Sequence, residues 1–201
     1  MDHNIKMQIY NLGYSCFKIK GAKCDILCNP YNPKEIGLSY PSKQTADIVA
    51  VSSSKENFLE RIDPGYFLIN MPGEYEIKGA YVWGYKLTAS SRAFMFLIDG
   101  FKIAYLGKTN QVLSDDLAGE FSEADIAILP IECEGCLDAE GATEVVSQIE
   151  PKIVIPSYYK TSEAPKKFVD AMGKIKTLEL DKLSLKSPSD LPEETELVII
   201  K

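Results

Sequence analysis

Ala46-Asp47-Ile48-Val49-Ala50-Val51-Ser52 is a continuous apolar run that breaks into a polar stretch, Ser53-Ser54-Lys55-Glu56-Asn57-Phe58. Apolar residues without alternation, bounded by polar ones, describe a strand buried on both faces. The polar stretch after it reads as a turn. Working outward, short β-rich runs lie on both sides: 7–13, 15–20 and 23–29 before it, and 66–70, 74–79, 81–87 and 93–98 after it. Asp99-Gly100 is a strong two-residue hairpin signal joining the last of these to another run at 101–107.

Beyond residue 110 the rhythm alternates between strand and helix. The pattern predicts helices at 114–121, 138–150 and 162–174, with Asp138 and Ser162 as N-caps, and strands at 124–131 and 152–157. Lys176-Thr177-Leu178-Glu179-Leu180 and Glu196-Leu197-Val198-Ile199-Ile200 read as closing strands, with a Ser/Pro-rich loop between them. No linker divides the chain, so residues 1–201 are expected to form a single domain. Two mixed sheets face to face with helices outside is the layer arrangement this order suggests.

The composition narrows the function classes. A chain of 201 residues that is 45% hydrophobic and 25% charged has the make-up of one globular domain. A net charge of −7 argues against general binding to nucleic acid, which needs clustered Lys and Arg. No stretch is apolar enough to span or anchor in a membrane, and no signal segment is evident at the start, so a cytoplasmic location is expected. Five cysteines, at 16, 24, 28, 133 and 136, are an odd number suited to a reducing compartment. The only histidine is His3, so a mechanism that needs two histidines in one subunit is excluded.

Several segments resemble the metallo-β-lactamase superfamily, specifically its small bacterial and archaeal branch of Zn-dependent hydrolases related to the ascorbate-phosphate lactonases. They are Leu12-Gly13-Tyr14-Ser15-Cys16-Phe17, the strand at 46–52, Pro72-Gly73-Glu74-Tyr75-Glu76-Ile77-Lys78-Gly79, Tyr105-Leu106-Gly107, Leu113-Ser114-Asp115, Leu137-Asp138-Ala139-Glu140 and the stretch from Pro151 to Lys160. The resemblance implies an α+β fold, a four-layer αββα sandwich. It also implies where two metal ions would be held. The family's Thr-His-x-His-x-Asp-His turn is replaced here, with Ser53, Lys55, Asn57 and Phe58 at the His, His, Asp and His positions. Lys108 stands for the bridging Asp of Gly-Asp, Tyr158 for the His of Pro-x-His-Tyr, and Tyr14 for a His that often lies beside the site. A further His would fall within Thr88-Ala89-Ser90-Ser91, where none is present.

Zinc takes Cys sulfur, His nitrogen or carboxylate oxygen, and a catalytic zinc keeps about three such ligands. Phenylalanine supplies no ligand atom, and a protonated lysine repels a cation. No metal or other cofactor is therefore expected, and metal-activated water with it is lost. If the family fold holds, Lys55, Lys108, Tyr14, Tyr105, Tyr158, Ser53 and Asn57 converge on the vacated positions. Two ammonium groups among hydroxyl and amide donors suit a small anion: phosphate, a nucleotide or an organic acid. Filling of the pocket by the same side chains, without a ligand, is the plainer alternative.

Cys133-Glu134-Gly135-Cys136 precedes a helix and offers thiols where thiolate is favoured, although one C-x-x-C is half a zinc site at best. The expectation is of ordinary reduced cysteines there. The leading function is a non-catalytic pseudo-hydrolase that binds a small anion or a protein partner, including a second copy of itself, since the family often forms oligomers. The alternatives are a hydrolase with a non-standard site, metal-dependent or metal-free, and an inert scaffold subunit.

Overall fold

A computed structural model describes residues 7–40, 42–54 and 57–201. The first sheet has six strands, β1 (Met7–Asn11), β2 (Phe17–Lys20), β3 (Asp25–Cys28), β4 (Ile48–Ala50), β5 (Phe67–Ile69) and β13 (Leu183–Leu185), in the order β13-β1-β2-β3-β4-β5. The second has eight: β6 (Gly73–Ile77), β7 (Ala80–Lys86), β8 (Arg92–Ile98), β9 (Phe101–Leu106), β10 (Ile126–Pro130), β11 (Ile153–Ser157), β12 (Lys176–Leu180) and β14 (Glu196–Ile200). Its order is β12-β14-β11-β10-β9-β8-β7-β6. Both sheets are mixed: β1 to β3 and β6 to β9 pair antiparallel, whereas β3 to β5 and β9, β10, β11, β14 and β12 run parallel.

Alternation places one set of side chains between the sheets. Phe17, Ile19 and Ile26 of the first meet Phe94, Phe96, Ile103 and Ile128 of the second in one buried cluster. Each such side chain contributes about 1.5–3 kcal/mol by leaving water. The opposite face of the second sheet is covered by α2 (Asp115–Phe121), α3 (Ala139–Ile149) and α4 (Glu163–Met172), through Phe121, Val145, Ile149 and Phe168. The outer face of the first sheet packs Leu27, Val49 and Val51 against Tyr31, Tyr40 and the short helix α1 (Pro33–Ile36). These are the four layers of an αββα sandwich.

The expected hairpin turn forms, with Asp99 and Gly100 at φ 51° and 86° and Ile98 paired with Phe101. Three elements lie outside the sequence expectation, one of them a single 3-10 turn at Pro188–Asp190. β13 is three residues with only two apolar positions, and α1 is a single turn set by the Asn32 cap, Pro33 and a left-handed Gly37. The capping expectation is right at Asp138, whose carboxylate accepts from the Gly141 N–H at 2.8 Å. It fails at Ser162, whose own backbone is already helical and whose hydroxyl makes no capping bond. Among the described residues no helix is long and apolar enough to cross a membrane.

Candidate functional site

The loop after β4 is anchored by an asparagine that sequence reasoning passed over. Asn29, just beyond β3, has φ 45°, in the left-handed region that Asn tolerates better than most residues. Its Oδ1 accepts from the Ser52 backbone N–H at 2.7 Å, and its Nδ2 donates to Ser52 Oγ and to the Tyr158 hydroxyl, each at 2.8 Å. All three residues are fully buried. The Ser52 carbonyl accepts from the Arg92 backbone N–H at 2.9 Å and from its Nη1 at 3.3 Å. The loop therefore leaves a fixed point. The only signal in the sequence was the Asn that ends the run at 23–29.

From that point Ser53 and Ser54 enter the wall of a cavity of about 320 Å³. The turn between β7 and β8 supplies Thr88, Ser90 and Ser91, and the end of β9 supplies Lys108 and Thr109. Gly107 makes this approach feasible: a Cβ there would meet Ser91 Oγ at 2.6 Å, Ser52 Cβ at 2.7 Å and the Arg92 carbonyl closer still. Three stretches that the resemblance assigned to missing ligands, Ser53, Thr88–Ser91 and Lys108, thus meet around one space.

Among the described residues the lining has one cation and no carboxylate. None of the ion pairs among the described residues involves Lys108, which is half-buried. Ser91 is 4% exposed, and its hydroxyl has no hydrogen-bond partner among the described residues. Thr109 Oγ1 is engaged locally, donating to the Gln111 carbonyl at 3.0 Å and accepting from its N–H at 3.1 Å.

The phenols do not join this cavity, which corrects the expected convergence. Tyr158 is fully buried, with its hydroxyl 2.8 Å from Asn29 and 3.3 Å from Ser52. Tyr105 donates to the Ser15 carbonyl at 2.6 Å, inside the molecule. Tyr14 lies against Tyr158, with ring centroids 5.2 Å apart, and lines a different cavity with Tyr159 and Lys160. Asn57 is exposed and outside the lining, and the Phe58 ring packs 6.1 Å from that of Tyr40. An aromatic cluster of Tyr14, Tyr31, Tyr40 and Phe58 draws these rings toward the first sheet. Lys55 lies outside the described residues.

The cysteine expectation is also corrected. Cys133 and Cys136 form a disulfide, with Cα atoms 4.8 Å apart. The turn that joins them is closed by the Cys136 N–H donating to the Cys133 carbonyl at 2.8 Å and by Gly135 at φ 73°. Cys16, Cys24 and Cys28 are buried free thiols. Burial pushes Cys16 up to about 12, a bond with Tyr40 partly opposing it. Burial, with Asp47 and Asp25 adding, pushes Cys24 up to about 11, and burial raises Cys28 well above an ordinary thiol.

With this fold and cavity, the chain falls into the class of metallo-β-lactamase-fold proteins. It belongs to the family described as the Beta-lactamase superfamily domain, whose profile matches residues 8–158. It is 33% identical over 136 residues to a metal-dependent hydrolase from Thermoplasma acidophilum, covering 61% of this chain and 58% of that one. A metal-dependent hydrolase from Pelotomaculum thermopropionicum is 34% identical over 95 residues, 45% of this chain and 42% of its own. The chain therefore spans about half the length of these two relatives. Among solved structures, a Thermotoga maritima protein assigned to the Zn-dependent hydrolases of the metallo-β-lactamase superfamily superposes with a TM-score of 0.81 at 24% identity, covering 96% of this chain and 98% of the other. A metallo hydrolase from Ignicoccus hospitalis gives a TM-score of 0.66 at 15% identity, covering 98% and 95%.

These names imply a metal, so the donor set decides whether one fits. Ser53 and Lys108 present a hydroxyl and an ammonium, Phe58 presents a ring turned to Tyr40, and Tyr158 presents a phenol already bonded to Asn29. None is a ligand type that structural or catalytic zinc uses. Among the described residues no group of three or more His, Cys, Asp or Glu is placed to hold a metal ion. The described residues at these positions do not fit the family's metals.

Proposed function

We propose that this protein is a pseudo-hydrolase that binds a small anion in the cavity between Ser53, Thr88–Ser91 and Lys108. The observation that supports this most directly is the sign of the lining, which among the described residues is a lysine among hydroxyls with no carboxylate. An ammonium surrounded by O–H donors in a half-buried space favours negative charge through charge-assisted hydrogen bonds. A volume of about 320 Å³ leaves room for a phosphorylated or carboxylated organic molecule.

Melting temperature measured against graded inorganic phosphate, pyrophosphate and citrate tests the reading, because a ligand of the folded state raises stability by mass action. A saturable rise is expected that Lys108→Gln removes. No rise with any of these anions, or an equal rise in the variant, would sink the idea.

The relatives' names support a second reading, hydrolysis with a non-standard site. Metal analysis of protein purified without added metal, together with turnover of chromogenic esters and phosphodiesters, separates the two. Stoichiometric metal with turnover lost on chelation supports the hydrolase.

A further inference from the structure

A second cleft, of about 420 Å³, opens on the loop between β10 and α3. Cys133 and Cys136 both line it, with Leu137 beside them and Ala164 and Lys167 of α4 opposite. Both cysteines are partly exposed, in contrast to the three buried thiols. A bridge across two intervening residues is a poor staple, because the unfolded-chain entropy removed by a disulfide shrinks with loop length. The same short spacing is well suited to opening and closing, since Cα atoms 4.8 Å apart already lie within the range of natural bridges.

The surroundings also suit thiolate chemistry. Cys136 lies two residues before Asp138, the N-cap of the eleven-residue α3, near the positive end of that helix. Lys167 faces the cleft, and the Lys108 side chain packs against Gly135, its Cε 3.2 Å from where a Cβ would lie. Glu132, Glu134 and Asp138 line the same cleft and oppose these cations.

We propose that Cys133 and Cys136 form a reversible dithiol–disulfide site that exchanges with low-molecular-weight thiols and disulfides admitted by this cleft. In oxidation, one cysteine thiolate attacks a sulfur of the external disulfide. A mixed disulfide forms as the external S–S bond breaks, and one thiolate leaves. The other cysteine thiolate then attacks the protein-side sulfur, closing the Cys133–Cys136 bond and releasing the second thiolate. The protein dithiol loses two electrons and two protons, and the external disulfide becomes two thiols. Reduction runs the same steps backward. Lys108 and Gly135 adjoin both sites, but the exchange does not rest on anion binding, and either can fail alone.

The test equilibrates the folded 201-residue protein, without oxygen, in graded ratios of reduced to oxidised glutathione, then traps thiols by acid quench and alkylation for peptide mass spectrometry. The pair should pass between dithiol and disulfide in one two-electron step, while Cys16, Cys24 and Cys28 stay unmodified. C133S and C136S, checked for folding by circular dichroism, should each trap a glutathione adduct on the remaining cysteine. Exchange in the folded protein should exceed that of a peptide covering residues 130–140 by about tenfold, the gain expected of a thiol in an activating setting. A pair that exchanges only after urea unfolding, stays in one state across all ratios, or reacts no faster than the peptide would overturn the proposal.

Discussion

The side-chain amide of Asn29 donates to the hydroxyl of Tyr158 at 2.8 Å, joining the end of β3 to the end of β11 across the two sheets. The same amide holds Ser52 by two further bonds, all in fully buried surroundings. Removing it strands a backbone N–H and a hydroxyl without water to replace the partner. Asn29→Ala is expected to cost about 3 kcal/mol and Tyr158→Phe about 1 kcal/mol in urea unfolding. The double variant should cost less than the sum, because the two residues share one bond. A loss below about 1 kcal/mol for Asn29→Ala would mean that the clamp does not hold the loop.

Gly107, just beyond β9, lies close against Ser52. An added methyl would press on the Arg92 carbonyl, which is backbone and cannot swing away, and on Ser91 Oγ at 2.6 Å. Gly107→Ala is expected to destabilise by about 3 kcal/mol, at the upper end of overpacking costs, and to weaken phosphate binding if the cavity reads as proposed. Thermal unfolding and phosphate titration of the same variant check both. An unchanged melting temperature would show that the strands separate there at little cost.

The layers of the fold were legible because burial repeats along the chain. The run at 46–52 and the alternating strands around it needed only period and turn residues, and Asp99-Gly100 needed only the backbone preferences of its two residues. The positions of Ser53, Thr88–Ser91 and Lys108 could be placed together only through the resemblance, since they lie far apart in sequence and share no periodicity. The phenols do not line the cavity, for a physical reason. A tyrosine at a ligand position keeps the backbone of the residue it replaces, but its longer, mostly apolar side chain goes where rings pack, as Tyr14 and Tyr158 do. The disulfide was missed because Cys-x-x-Cys is equally consistent with a metal pair, two thiols or a bridge, and only the closed turn at Gly135 distinguishes them.

Gly135 links the two candidate sites, since it bears on Lys108 and lies between the paired cysteines. Its φ of 73° is costly for any L side chain, and a Cβ would lie 3.2 Å from Lys108 Cε. Gly135→Ala is expected to destabilise by about 1–2 kcal/mol from the backbone alone. The methyl should also shift the ammonium, lowering phosphate affinity beyond what the stability loss explains. Calorimetric titration well below the melting temperature isolates that second effect, and an unchanged affinity would show that Lys108 does not hold the anion.

The three free thiols begin the alkaline fall in stability, with Tyr31, Tyr40 and Tyr85, also raised mainly by burial, adding to it at higher pH. Cys16 and Cys24 are raised to about 12 and about 11 mainly by burial, and Cys28 is raised in the same direction, all from 9.0. A group whose folded value is raised contributes stability in full below its unfolded value, and that contribution is lost as pH climbs from there through the folded value. The window therefore opens near pH 9 and extends to about 11–12, as the unfolded chain ionises first. Each such thiol lowers stability by up to about 1.4 kcal/mol per pH unit inside the window. Urea unfolding at pH 8, 9, 10 and 10.5 should show little change up to 9 and a steep fall above it. Cys16→Ala, compared with its own value at pH 8, should make the fall shallower. Native-state alkylation gives a second reading, because the thiolate is the nucleophile: Cys16 and Cys28 should stay unlabelled at pH 8 over hours. Ready labelling of either at pH 8 in the folded protein would mean that burial does not suppress these thiols, and the alkaline fall would then need another source.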